Sequence, residues 1–140
     1  MSALGRWRKQ PEKRSQFRRG FPAFFTRDSG FKADFQIDAS EDQARFIRTK
    51  WQLGLAGGVV VSNPVPADAA MAPAEIDAII TQALGEAASQ NVTGKKVTPF
   101  LLGRIKELTE GRSLATNIAL VKHNAQIGAR LAVALNHRAA

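Results

Sequence analysis

The sequence predicts an α/β chain with two strands and about four helices. Three observations carry this: a period-2 stretch at Phe31–Ile37, a β-branched run at Gly57–Ser62, and longer segments with apolar residues at helical spacing. Two strands make a poor sheet, because isolated two-stranded structures are marginal in water. The segment is therefore expected to complete a larger sheet or to assemble with another chain.

Residues 1–20 hold seven basic residues against one acid, a net +6, while the rest of the chain carries only +2 of the total +8. With few apolar side chains to offset its ordering entropy, this stretch reads as a disordered basic arm. Phe21–Phe25 is apolar and contains Pro22, and Thr26-Arg27-Asp28-Ser29-Gly30 is a polar turn in which Gly30 can supply a positive φ. Arg27, Asp28 and Ser29 suit either the rim of an active site or a capped turn. Between Phe31 and Ile37, Phe31, Ala33, Phe35 and Ile37 alternate with Lys32, Asp34 and Gln36, as in a strand with one wet face.

Ser40-Glu41-Asp42-Gln43 fits a capping box and opens a helix from about Glu41 to Leu53, with Ala44, Phe46, Ile47 and Trp51 on its apolar side and Gly54 as terminator. Gly57–Ser62 lacks alternation, as expected of a strand buried on both faces, and Asn63-Pro64-Val65-Pro66 stops it. Pro73 suits the first turn of a helix over roughly Ala74 to Gln90, whose stripe is Ile76, Ile79, Ile80, Ala83, Leu84 and Ala87. Thr98-Pro99 opens another, ending near Leu108, and Ser113 caps a last one from Leu114 to about Leu135. There Leu114, Ile118, Val121, Ala125, Gly128 and Ala132 share a stripe that Leu120, Ile127, Leu131 and Leu135 widen, and so broad an apolar surface is expected to be buried.

Composition excludes several chemistries. With no cysteine in 140 residues, disulfides, thiolate nucleophiles and cysteine-bound zinc are impossible. No apolar run approaches the ~20 residues that span a bilayer, and no secretory signal follows the basic start, so a cytoplasmic location is the default expectation. The glycines Gly54, Gly57 and Gly58 match neither phosphate-binding pattern, and Lys95 and Lys96 read as a solvated loop pair. His123 and His137 lie too far apart on one helix to share a metal, so no metal or cofactor ligand is assigned.

Four stretches together resemble the pseudouridine-5′-phosphate glycosidase family, also called the indigoidine-synthase-A-like family. They are Phe21–Lys32, Gly57–Pro66, Gly94–Leu102 and Ser113–Val121, and the likeness runs from about Phe21 to the C-terminus. The resemblance implies that residues 21–140 are the C-terminal portion of an α-β-α sandwich enzyme. That enzyme cleaves the C–C glycosidic bond of pseudouridine 5′-phosphate, reversibly, to uracil and ribose 5-phosphate. It also implies a homotrimer, manganese held through waters by an aspartate, a lysine that forms an imine with the opened ribose, and a glutamate that transfers the proton. Those three residues lie N-terminal to the matching stretch and have no counterpart here, so the 140 residues are expected to be an inactive fragment. One position carries over as catalytic, Asn117 in Ser113–Val121, whose amide can hydrogen-bond a phosphate or sugar oxygen near a helix start with free amides and a favourable dipole. Asn124, seven residues on, shares its face.

Two other classes remain. An interaction module would dock its broad final helix on an intact family enzyme. A small nucleic-acid-binding protein, the less favoured, would use the basic arm with Trp7 or Phe17 stacking on bases.

Overall fold

A computed structural model describes residues 20–137. Four α-helices appear among them: α1 (Ser40–Gln52), α2 (Pro73–Ser89), α3 (Val97–Leu108) and α4 (Arg112–Asn136), with 3₁₀ turns at Ala67–Ala69 and Gly94–Lys96. The basic arm expected over residues 1–20 lies, except for Gly20, outside the described residues.

The α/β expectation is corrected: among the described residues there is no strand, and hence no portion of an α-β-α sandwich sheet. A single antiparallel bridge joins Gly20 to Lys32. Beyond that bridge and the Phe21 amide donating to the Phe31 carbonyl at 2.8 Å, Phe31–Ile37 pairs with no other segment, and Gly57–Ser62 pairs with none. Alternation and β-branching bias a residue's φ and ψ, but a strand exists only where a second segment pairs with its N–H and C=O groups. The first run finds no more than the single bridge and the second finds nothing, and the run expected to be buried on both faces leaves Val60 90% exposed.

The helices follow their sequence signals more closely. Pro73 occupies the first turn of α2, where a missing N–H costs nothing. Glu110 (φ 52°) and Gly111 (φ 84°) form the left-handed corner that turns α3 into α4. The capping box does not form. Ala39, not Ser40, precedes the first turn of α1, and the Gln43 side-chain amide donates instead to the Ile37 carbonyl at 2.7 Å, drawing the preceding chain onto the helix.

The core gathers Phe25, Met71, Ile76, Ala83 and Ile105, with Ile79, Ile80, Leu101 and Leu108 packed around them, so it sits between α2 and α3. Phe25 is set by the turn after it, and its carbonyl accepts the Met71 amide at 2.9 Å. The helix pair is clamped at its rim by Arg104 of α3, which pairs with Glu86 of α2 and reaches Glu107 at 2.8 Å. Of the face expected for α1, Ala44 and Ile47 are buried, while Phe46, Trp51 and Leu53 are exposed.

α4 packs on α1, and of the residues that widen its expected stripe Leu120 is buried and Ile127, Leu131 and Leu135 are half-buried. Arg48 of α1 donates to the Ala134 and Leu135 carbonyls at 2.9 and 3.4 Å, satisfying groups that the end of α4 cannot satisfy itself. The stripe expected to be buried, Leu114, Ile118, Val121, Ala125, Gly128 and Ala132, faces solvent instead. Both stripes are apolar, and the one that includes Leu120 is the one covered.

Candidate functional site

The start of α4 is built around Thr109, which is fully buried. Its hydroxyl donates to the Ile105 carbonyl at 2.8 Å and accepts the Ser113 amide at 3.1 Å, with the Ser113 hydroxyl 3.0 Å away. The remaining first-turn amides are also satisfied: Arg112 donates to the Thr109 carbonyl at 3.0 Å, and Leu114 and Ala115 to Gly111 at 3.1 and 3.2 Å. The free amides expected near Asn117 are thus already used, and within this chain the helix start is not an open anion cradle. Ser113, expected as the cap, is a buried second helical residue, and Thr109 does the capping from the preceding turn.

Arg112 places a cation at the positive end of the α4 dipole, an unfavourable position. Glu75 of α2 answers it with an ion pair. The hydrogen bond from Arg112 holds the Glu75 carboxyl below the ordinary glutamate range, and Glu75 in turn raises Arg112. This pair fixes the start of α4 against the start of α2.

Asn117 lies in the second turn of α4, half-buried. On either side of it, α4 is tied to the segment that follows the extended run: Thr116 donates to the Ala69 carbonyl at 2.8 Å, and Asn63 donates to the Asn124 side chain at 3.3 Å. Residues 116 and 124 are about 12 Å apart along a helix. The Asn63–Ala69 segment therefore runs antiparallel to α4 beside Asn117. Its middle is pinned from a third side, where Arg27 donates to the carbonyl of buried Val65 at 2.8 Å.

Arg27, Asp28 and Ser29 form a self-bonded turn. Asp28 accepts the Gly30 amide at 2.9 Å, and the Ser29 hydroxyl donates to the Phe21 carbonyl at 2.7 Å. Lys95 and Lys96 are exposed in a 3₁₀ turn, and His123 and His137 sit fourteen residues apart on and just beyond α4. Among the described residues no three of His, Asp or Glu come together. Lys50 is occupied by the Leu55, Ala56 and Gly57 carbonyls at 2.7, 3.0 and 2.8 Å. No described helix is long and apolar enough to cross a membrane.

The structure thus places Asn117 between Thr116, whose hydroxyl is used on the Ala69 carbonyl, and the Asn63–Asn124 contact, where side-chain amides can donate to and accept from an oxygen-rich ligand. Asn63 and Thr116 were missed from sequence. An asparagine before proline reads as a turn, and nothing local announces a contact across 61 residues.

A profile of the family described as indigoidine synthase A like protein matches residues 13–134. The chain is 70% identical over 115 residues to a pseudouridine-5′-phosphate glycosidase of Cupriavidus pinatubonensis, covering 82% of this chain and 37% of that protein. It is 56% identical to one of Lysinibacillus sphaericus, covering 82% and 38%. Among solved structures, an indigoidine synthase A-like protein of Thermotoga maritima superposes with a TM-score of 0.72 at 31% identity, over 85% of this chain and 39% of that one. The prealnumycin C-glycosynthase AlnA, solved with ribulose 5-phosphate, shares the fold at a TM-score of 0.73 and 23% identity, over 84% and 39%. The chain therefore spans between a third and two-fifths of the length of the relatives it matches.

Proposed function

From the premise that this chain belongs to the indigoidine synthase A like protein family, we propose that it forms the C-terminal part of a pseudouridine-5′-phosphate glycosidase. The observation that carries the proposal is 70% identity over 115 residues to a protein of that name. The reaction is the reversible cleavage of the C–C bond between uracil and ribose 5-phosphate. A C-glycoside has no heteroatom leaving group, so capture of the sugar carbon and delivery of a proton to the base must share the work.

In this reading the 140 residues contribute one wall of the site rather than its nucleophile. Asn117 is a catalytic residue of that wall, its amide meeting an oxygen of the base or the sugar phosphate. Thr116, Asn124 and Asn63 are positioning residues, because they fasten the neighbouring segment to α4 on both sides of it. The described lysines include Lys50, whose three carbonyl contacts leave it unsuited to attack a sugar. A homotrimer and a cytoplasmic location accompany the same reading. Manganese belongs to the same reading, with its aspartate in the part of the enzyme that these residues do not cover.

The test is uracil release from pseudouridine 5′-phosphate with manganese present. The samples are the 140-residue chain alone, the chain with the segment of the Cupriavidus relative that it does not cover, and that relative intact. The chain alone is expected to be silent and the pair to turn over. Asn117→Ala should slow the pair by tenfold or more, about 1.4 kcal/mol of barrier. Turnover by the chain alone at the intact relative's rate overturns the assignment of the nucleophile elsewhere. Silence from a pair shown to be assembled overturns the activity.

A further inference from the structure

We infer that the solvent-facing stripe of α4 is the seat for the larger part of the family fold, the polypeptide of the relatives that these residues do not cover. The inference rests on the reading just given and adds the partner and the surface. Leu114, Ile118 and Val121 begin the stripe, and Ala125, Gly128 and Ala132 continue it. Ile118 is 46% and Val121 60% exposed, and the stripe extends about 27 Å along the helix. Contiguous apolar surface of this extent marks an interface. The small residues at its C-terminal half let a partner's backbone come close.

Two observations choose the occupant. The first is length: this chain reproduces the fold of solved relatives at a TM-score of 0.72 yet covers 39% of such a chain, so most of that folded chain lies outside this body. The second is charge. α4 carries Arg112, Lys122 and Arg130 and no acidic residue, and Arg112 is already paired with Glu75. A second copy laid on this face would bring Lys122, which flanks the stripe next to Val121, against the same cation. A different polypeptide, with an apolar surface and an acidic rim, would not.

The full 140-residue chain is co-expressed with the tagged segment of the Cupriavidus relative that it does not match, and the tag is captured. The expected result is a 1:1 complex by light scattering, reduced tenfold or more by Val121→Asp or Ile118→Asp. Val121→Ala, which introduces a stronger helix former and no charge, should reduce it several-fold without loss of helical circular dichroism. Failure of the wild-type chain to co-purify overturns the inference, as does a complex indifferent to all three substitutions. Sedimentation of the chain alone as an oligomer that Val121→Asp dissociates also overturns it, by making a second copy the occupant. Complex formation is read without activity, so an assembled but silent pair counts against the proposed reaction and not against this surface.

Discussion

Replacing Thr109 by valine removes one hydroxyl while keeping the shape of the side chain. Thr109 is fully buried and Ser113 only 3% exposed, so water cannot take the place of that hydroxyl. The Ile105 carbonyl keeps the Thr109 amide as a donor at 3.0 Å and loses little. The Ser113 amide, which had only the hydroxyl at 3.1 Å, is left buried without an acceptor. An orphaned buried donor costs about 1–3 kcal/mol, and valine at this position should destabilise the chain by that amount. Thr109→Ser keeps the hydroxyl and gives up one methyl, about 0.8 kcal/mol. Urea denaturation of the 140-residue chain, followed by helical circular dichroism, measures both. Valine should therefore lower the midpoint more than serine does. A valine variant within about 0.3 kcal/mol of wild type, or a serine variant that is the worse of the two, refutes the claim that this hydroxyl organises the start of α4.

Ile76 is 1% exposed in the core between α2 and α3, and Ile76→Ala should cost about 2–5 kcal/mol in the same denaturation assay. The Arg104 hydrogen bond holds the Glu86 carboxyl below the ordinary glutamate range, with Gln82 adding to the effect. A carboxylate lowered in the folded state stabilises it above the ordinary glutamate pKa and loses that contribution as pH falls through the lowered value. Glu86→Gln should accordingly be less stable than wild type at neutral pH, with the gap closing as the solution is acidified towards pH ~3 and shrinking in high salt.

What the sequence made legible was local. Pro73 and the polar turn at Thr26–Gly30 announced their corners through backbone chemistry that needs no neighbour. Helix bounds came within a residue or two. The strands failed because pairing is not a property of a single run, and Gly57–Ser62 has no partner among the described residues. The faces of α4 were ambiguous for a related reason. Periodicity finds apolar stripes, and this helix has two. Only tertiary packing decides that Leu120 is covered and Val121 is not. Asn117 was singled out through a resemblance alone, whereas its surroundings depend on contacts from Asn63 and Ala69, far away in the chain.

The grip of Lys50 on three successive carbonyls has a mechanical side. It fastens the chain at Leu55–Gly57, and the Asn63–Asn124 and Arg27–Val65 contacts fasten it again beyond Ser62. Gly58–Ser62 is therefore a strap held at both buckles, too short to wander although its side chains stand in water. Closing so short a loop has already surrendered much of its freedom. A polypeptide that comes to cover Val59 and Val60 meets a segment ordered in advance, and loses correspondingly less entropy in binding it.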